Sequence, residues 1–283
     1  MMDRRLTPAN GRVAAERLRG QVQADRFVAG DAARVAVPVA DLRAAPGGAR
    51  DRQLVLGDAV TVYERRDGHA FVEAAKDGYV GYLPEGDLGP PQEATHWVAV
   101  PASHAYTVGD FKKPEAHGLV FGSQVRVIDE RPRFFETAEG HFIPKPHLWP
   151  LRKRFSDPVT AAQLFFGAPY LWGGNTPRGI DCSGLVQVAL LAAGIACPGD
   201  SDMQEGLGAE CPDDSALQRG DLLFWKGHVA LAVDGETLIH ANAHAMAVAY
   251  EPARAAIARI EAQGDGPVTH HRRIGPERRV DAP

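Results

Sequence analysis

Three residues in the second half of the chain, Cys182, His228 and His240, have the types and spacing for catalysis by a thiol nucleophile. Cys182 sits in Asp181-Cys182-Ser183-Gly184, directly ahead of an apolar run over residues 185–193 that ends at Gly194. That run predicts a helix buried on nearly every side, with Gly194 at its C-terminal cap. Cys182 then lies at the helix N-terminus, where unpaired N–H groups and the dipole favour an anion and lower a thiol pKa. A buried structural cysteine fits the same position, and position alone does not separate the two readings. The candidate partners follow downstream. Gly220-Asp221-Leu222-Leu223-Phe224-Trp225 and Gly227-His228-Val229-Ala230-Leu231-Ala232-Val233 read as strands, and Thr237-Leu238-Ile239-His240-Ala241 as the returning strand. A two-residue turn at Asp234-Gly235 pairs Val233 with Glu236, which places Val229 near His240 and His228 near Ala241. Both histidines then occupy one end of a hairpin, where one can accept the thiol proton while the other orients it.

The elements ahead of the cysteine follow from local signals. Asp157-Pro158 predicts an N-cap and first helical residue for an apolar helix through Leu164-Phe165-Phe166, stopped by Gly167. Pro169-Tyr170-Leu171-Trp172-Gly173-Gly174-Asn175 reads as a loop whose glycines permit close backbone approach. Further upstream, residues 33 to 150 read as short strands with an internal repeat. Val35-Ala36-Val37-Pro38 recurs as Val98-Ala99-Val100-Pro101, Leu54-Val55-Leu56-Gly57 as Leu119-Val120-Phe121-Gly122, and Tyr82-Leu83-Pro84 as Phe142-Ile143-Pro144. The offsets of 63, 65 and 60 give two tandem modules of some sixty residues, sized for small barrels. Ala14-Ala15-Glu16-Arg17-Leu18-Arg19 is charged and helix-compatible, a lead-in rather than a domain. The expected division is a lead-in over 1–32, modules over 33–90 and 91–150, and a catalytic domain over 151–283.

With 31 basic and 36 acidic residues among 283, the net charge of −5 argues against a dominant nucleic-acid surface or a polybasic membrane anchor. No window reaches the ~20 apolar residues of a membrane span. The opening Met-Met-Asp-Arg-Arg-Leu-Thr-Pro-Ala-Asn has no apolar core behind its basic residues. Taken as the native terminus, it carries the expectation of a cytoplasmic protein, or of a periplasmic one if the terminus has been trimmed. Three cysteines are too few for a disulfide framework, although Cys197 and Cys211 could pair in an oxidising compartment. No cofactor or metal is implied, and the expected state is a monomer.

Residues 157 to about 250 resemble the NlpC family of papain-like cell-wall endopeptidases. In that family Asp-Cys-Ser-Gly opens the central helix, and a Gly-His-Val-Ala/Gly strand is followed by a second histidine twelve residues later. Here these are Cys182, His228 and His240. The family's Tyr-x-Trp-Gly-Gly motif, whose tyrosine lies by the oxyanion site, corresponds to Tyr170. The tandem modules resemble bacterial SH3-like units, with Asp77-Gly78-Tyr79-Val80-Gly81-Tyr82-Leu83 closing the first. The resemblance implies an α+β papain-like (NlpC-type) catalytic domain preceded by two small SH3-like β-barrels.

Paired SH3-like modules are similar to the branch of the family that cleaves γ-D-glutamyl–diamino acid bonds in peptides with a free N-terminal L-alanine. The resemblance therefore implies a cysteine peptidase of peptidoglycan-derived peptides, acting in cell-wall recycling. Its Pro-Arg-Asp segment is matched by Pro198-Gly199-Asp200, with Gly199 in the arginine's place. The branch's module tyrosine corresponds to Tyr79, and its acidic residue near the module start has no counterpart in Ala44-Ala45-Pro46-Gly47-Gly48. Asp181, Ser183 and Asp200 fall near the thiol and form the expected trap for the substrate ammonium, with an ordinary cap as the alternative role for Asp181. Three other readings compete with this one. One is a metal hydrolase using His228, His240, His244 and Asp221, although His240 and His244 lie in or after a strand, where i and i+4 are far apart. The second is a non-catalytic cell-wall peptide binder. The third is an amide hydrolase or acyltransferase with the same thiol chemistry.

Overall fold

A computed structural model describes residues 2–212 and 214–275. Met1, Asp213 and residues 276–283 of the expected catalytic domain lie outside the described residues. The chain divides into two compact units, Met1–Leu151 and Arg152–Pro283. Among the described residues, no helix is long and apolar enough to cross a membrane.

In the first unit, one module is a seven-stranded sheet. Its order is Arg50–Val55, Val39–Arg43, Val80–Pro84, His69–Ala74, Ala59–Arg66, Asp31–Val35 and Leu88–Gly89. Register shifts between Val62 and Glu64 and between Leu42 and Arg43 bend its strands, as barrel closure requires. The second module pairs a five-stranded sheet with a three-stranded one, around Val98, Ala105, Leu119, Val125, Ile143 and Leu148.

The sequence repeat reappears as repeated hydrogen bonding. Gly57 N–H donates to Val35 O and Gly122 N–H to Val98 O, each at 2.9 Å. Both glycines take φ of +88°, a conformation open to glycine at little cost. Leu56 N–H and Phe121 N–H likewise donate to Pro38 O and Pro101 O. Equivalent polar groups are satisfied by equivalent partners, so the modules share a backbone plan although their side chains differ.

The lead-in departs from the helical expectation. Val13–Ala15 is a strand paired in parallel with Arg26–Val28, and Arg4–Leu6 and Glu16–Leu18 are single 3-10 turns. Val13 and Ala15 pack with Tyr63, Phe71 and Val80, while Arg12 and Asn10 bond Glu64. A six-residue stretch is too short to hold an isolated helix, and burial against the first module decides its conformation.

Among its described residues the second unit holds four helices, α1 (Pro158–Gln163), α2 (Cys182–Ala192), α3 (Ser201–Gln204) and α4 (Ala253–Ala262). Its six-stranded antiparallel sheet runs Ala209–Glu210, His270–Arg273, Leu222–Trp225, His228–Ala232, Thr237–Asn242 and Ala247–Pro252. Asp157 caps α1 by accepting from Val159 N–H and Thr160 N–H, with Pro158 in the first turn. The helix ends at Gln163, earlier than the apolar run suggested. α2 packs on the two histidine-bearing strands. Ala253, Ala256 and Ile260 of α4 cover a sheet face carrying Leu223, Trp225, Ala230, Ala232 and Leu238.

The hairpin loop has three residues, 234–236, instead of two. Val233 N–H donates to Thr237 O at 2.8 Å, Ala232 pairs with Leu238, and Leu231 pairs with Ile239. Neither Asp234 nor Gly235 has the positive φ that a type I′ turn needs at both central positions. Instead Asp234 Oδ1 accepts from Glu236 N–H at 2.9 Å and Thr237 N–H at 2.8 Å, closing the loop with its own side chain.

Candidate active site

The one-residue change in register decides where the histidines point. Under the two-residue turn Val229 would oppose His240, leaving His228 and His240 on opposite faces. Continuing the observed register sets Ala230 opposite His240, so His228, two residues away, becomes its diagonal neighbour on the same face. The rings meet there, with His228 Nε2 and His240 Nδ1 at 2.9 Å. His228 also packs on Trp225, its direct partner across the neighbouring strand pair.

Behind His240 stand two residues that sequence reasoning missed. His240 Nε2 lies 3.0 Å from Glu251 Oε2 on the adjacent strand. Arg259 of α4 grips the same carboxylate, donating from Nε to Oε1 at 2.9 Å and from a terminal nitrogen to Oε2 at 2.7 Å. The signal was weak but present. Leu238 pairs with Glu251 and His240 with Ala249, so Glu251 is the diagonal neighbour of His240. Arg259 follows two helical turns into α4.

Electrostatics keep this row uncharged at its histidines. Burial, with His240 and Arg259 adding to it, pushes the His228 pKa down to about 3, against an opposing pull from Glu251. Burial likewise lowers His240, although Glu251 and its hydrogen bond work the other way. The Arg259 hydrogen bonds hold the Glu251 carboxyl below its ordinary value.

Cys182 is the first residue of α2, 6% exposed, as its sequence position predicted. Asp181 is the N-cap, and its carboxylate is committed to the chain itself. Oδ1 accepts from Gly184 N–H at 2.6 Å and from the Ser183 hydroxyl at 3.1 Å, while Oδ2 accepts from Gly173 N–H at 2.8 Å. Gly184 is required by this packing, because a Cβ there would meet Gly174 O at 2.4 Å. The glycine loop is thus clamped onto the helix start. Tyr170 enters through that loop, its N–H donating to Met246 O and its neighbour Leu171 N–H donating to Ile180 O. Burial and the nearby charges of Cys182 and Asp181 push the Tyr170 hydroxyl pKa well up, so it stays a donor at neutral pH.

Ser183 is buried, its hydroxyl turned to Asp181 and its carbonyl accepting from Gln204 Nε2 at 2.9 Å. Asp200, half-buried, is the N-cap residue of α3 and makes no side-chain cap bond. Tyr79 belongs to the first unit. It is 2% exposed and directly precedes the strand Val80–Pro84, its N–H donating to Asp77 Oδ1 at 3.0 Å.

Two side readings of the sequence, a Cys197–Cys211 bridge and a metal site at Asp221 and His244, meet different surroundings. Cys197 and Cys211 are buried thiols that form no disulfide, as is Cys182. Asp221 does not join His228 and His240; it lies with Cys211 and His271, whose ligand atoms all fall within 4.8 Å of one another. That carboxylate is already held by two Arg273 nitrogens at 2.7 Å, by His271 Nε2 at 2.8 Å and by Gln218 N–H at 2.8 Å. It ties the end of the sheet together. His244 is exposed in the turn after its strand, away from the helix spacing a metal pair would use.

Residues 167–260 match the model of the NlpC/P60 family, and residues 42–88 match the bacterial dipeptidyl-peptidase Sh3 domain. The chain is similar to dipeptidyl-peptidase 6 of Lysinibacillus sphaericus, 40% identical over 84 residues that make up 30% of this chain and 31% of that one. It is also similar to the gamma-D-glutamyl-L-lysine dipeptidyl-peptidase of Bacillus cereus, 25% identical over 67% of this chain and 66% of that one. The protein of the same description from Bacillus subtilis is 29% identical over 58% and 60%. The chain thus spans from under a third to about two thirds of these relatives' lengths. Among solved structures, an NlpC/P60 family protein from Bacillus cereus shares the fold with a TM-score of 0.73 at 21% identity, covering 87% of this chain and 100% of that one. An NlpC/P60 endopeptidase from Photobacterium damselae subsp. piscicida superposes with a TM-score of 0.55 at 13% identity, over 90% and 74%. The helix-start cysteine, the facing histidines and the clamped glycine loop are therefore the parts of an NlpC/P60 family domain, which this chain carries behind a bacterial dipeptidyl-peptidase Sh3 domain.

Proposed function

We propose that this protein is a cysteine peptidase that hydrolyses the γ-D-glutamyl–diamino acid bond of peptidoglycan-derived peptides bearing a free N-terminal L-alanine. The observation that carries this reading is the hydrogen-bonded pair His228–His240 on strands packed against the helix that begins at Cys182. In the proposed reaction His228 takes the Cys182 proton and the sulfur attacks the γ-carbonyl carbon. The Tyr170 hydroxyl and the Cys182 N–H receive the developing oxyanion. The carbon–nitrogen bond then breaks as His228 returns the proton to the leaving amine, leaving a thioester that water hydrolyses.

The relatives' descriptions as dipeptidyl-peptidases, two of them for gamma-D-glutamyl-L-lysine, support this substrate class. Release of a dipeptide requires recognition of a free amino terminus, and Asp200, the aspartate of Pro198-Gly199-Asp200, is the carboxylate we assign to it. A peptide with a free alanine amine is no longer joined to glycan, which favours recycling of released fragments over cutting of intact wall. Three thiols without a disulfide suit a reducing compartment, and cell fractionation checks a cytoplasmic placement.

The test is mass spectrometry of L-Ala-γ-D-Glu-diaminopimelate incubated with the protein and with Cys182→Ala. The free peptide should yield L-Ala-D-Glu and diaminopimelate with the wild type only. Cleavage at another bond would sink the substrate assignment, and equal turnover by Cys182→Ala would sink the thiol mechanism.

A further inference from the structure

Glu251 has no part in the reaction just proposed, yet its position sets which ring nitrogens carry protons. Its carboxylate accepts two hydrogen bonds from Arg259, whose other terminal nitrogen is anchored on Gln263 Oε1 at 2.9 Å. A carboxylate so paired is ionised and can only accept. His240 Nε2, 3.0 Å from Glu251 Oε2, must therefore be the donor, and a neutral His240 keeps its lone pair on Nδ1. That lone pair faces His228 Nε2 at 2.9 Å, so His228 must carry its proton on Nε2. The unprotonated nitrogen left on His228 is Nδ1.

We propose that Glu251, gripped by Arg259, is a positioning residue that fixes the tautomers of His240 and then His228, leaving His228 Nδ1 as the atom that takes the nucleophile's proton. The inference rests on the reading of Cys182 as nucleophile and of His228 as its base. On proton transfer the sulfur loses its hydrogen and His228 gains one on Nδ1, becoming imidazolium. The Nε2–H to His240 stays in place, and the Glu251 charge stands behind it. With the opposite tautomers, Nδ1 of His228 would already be protonated and could not accept the nucleophile's proton. Inverting a catalytic histidine's tautomer is known in serine proteases to be far costlier than the loss of one hydrogen bond suggests.

The experiment is nitrogen-15 NMR of the full chain, labelled at histidine, in a Cys182→Ala background where both rings are neutral. Both His228 and His240 should carry the proton on Nε2. A proton on His240 Nδ1 would overturn the inference, and this reading needs no further variant to fold. Adding Glu251→Ala should release the constraint and bring Nδ1–H forms of His240 into the spectrum; unchanged tautomers would also overturn it.

In the active chain, Glu251→Ala should lower kcat roughly 10- to 100-fold, with KM within about twofold, the usual cost of removing a residue that orients a functional histidine. The two failures are distinguishable. If the wild type cleaves no γ-D-glutamyl peptide, the proposed function falls and the NMR result still stands or falls alone. If the wild type cleaves and Glu251→Ala keeps the full kcat, the function stands and the positioning role does not.

Discussion

At the scale of single residues, the site is organised around uncharged histidines, and this has a consequence for stability. His228 and His240 are both held below the ordinary histidine value of 6.5, His228 to about 3, with burial the largest cause for each. The unfolded chain binds protons at these rings below pH 6.5, whereas the folded chain resists them until its own lower values are reached. Their contribution to stability is therefore present above about pH 6.5 and is lost as pH falls through the window beneath it. His141 and His147 in the first unit are lowered by burial as well. Between pH 6.5 and 4.5 the neutral His228 ring alone costs up to about 1.4 kcal/mol per pH unit, and the other three rings act in the same direction. Urea unfolding across that window should show stability falling with acid, and His228→Gln should flatten the slope by about one proton. A slope unchanged by His228→Gln would mean that the ring is not held neutral by the fold.

At the scale of elements, the helix start and the hairpin position the chemistry, and they were legible to different degrees. Asp181, Cys182 and the apolar run beyond them announced α2 directly, because a cap residue ahead of an unbroken apolar stretch has few other structures open to it. The hairpin strands were equally clear, but their register was not. Asp-Gly between apolar runs signals a two-residue turn, and only the Asp234 side chain closing a three-residue loop reveals otherwise. Since strand side chains alternate with period two, that single residue separated a histidine pair on one face from a pair split across the sheet. Glu251 and Arg259 left only a weak signal for a related reason, as their roles depend on diagonal contacts that follow from the register. The helix start also yields a prediction. Asp181→Ala removes an N-cap and releases the Gly173 loop, so it should destabilise the protein by roughly 1–3 kcal/mol. Asp181→Asn should recover much of that, since asparagine caps well. Thermal unfolding in which Asp181→Ala melted like the wild type would show that the clamp contributes nothing.

For the whole molecule, the two tandem modules are legible in the amino-acid sequence as a repeat, because equivalent turns demand the same glycine and the same backbone partners. Their lead-in is not, since tertiary burial of Val13 and Ala15 overrides a weak helical preference. At this scale the proposed function makes a claim about substrate choice. A free ammonium held by Asp200 gains a charge-assisted bond of about 1.5–3 kcal/mol, equivalent to roughly a tenfold to hundredfold preference. L-Ala-γ-D-Glu-diaminopimelate should therefore be cleaved with a specificity constant well above that of its N-acetylated counterpart. Asp200→Asn should narrow the gap by weakening the free-amine substrate. Equal constants for capped and free peptides would remove the amine contact and leave the thiol chemistry standing.

The central claim is that Cys182 is the nucleophile of a peptidase. It is tested most directly by trapping the acyl intermediate, using intact-protein mass spectrometry after rapid acid quench of the wild type with L-Ala-γ-D-Glu-diaminopimelate. The expected result is a transient adduct of one L-alanyl-γ-D-glutamyl group, mapped to the peptide containing Cys182 and absent in Cys182→Ala. Turnover of the peptide by Cys182→Ala at the wild-type rate, or an acyl adduct mapped to Cys197 or Cys211, would contradict it.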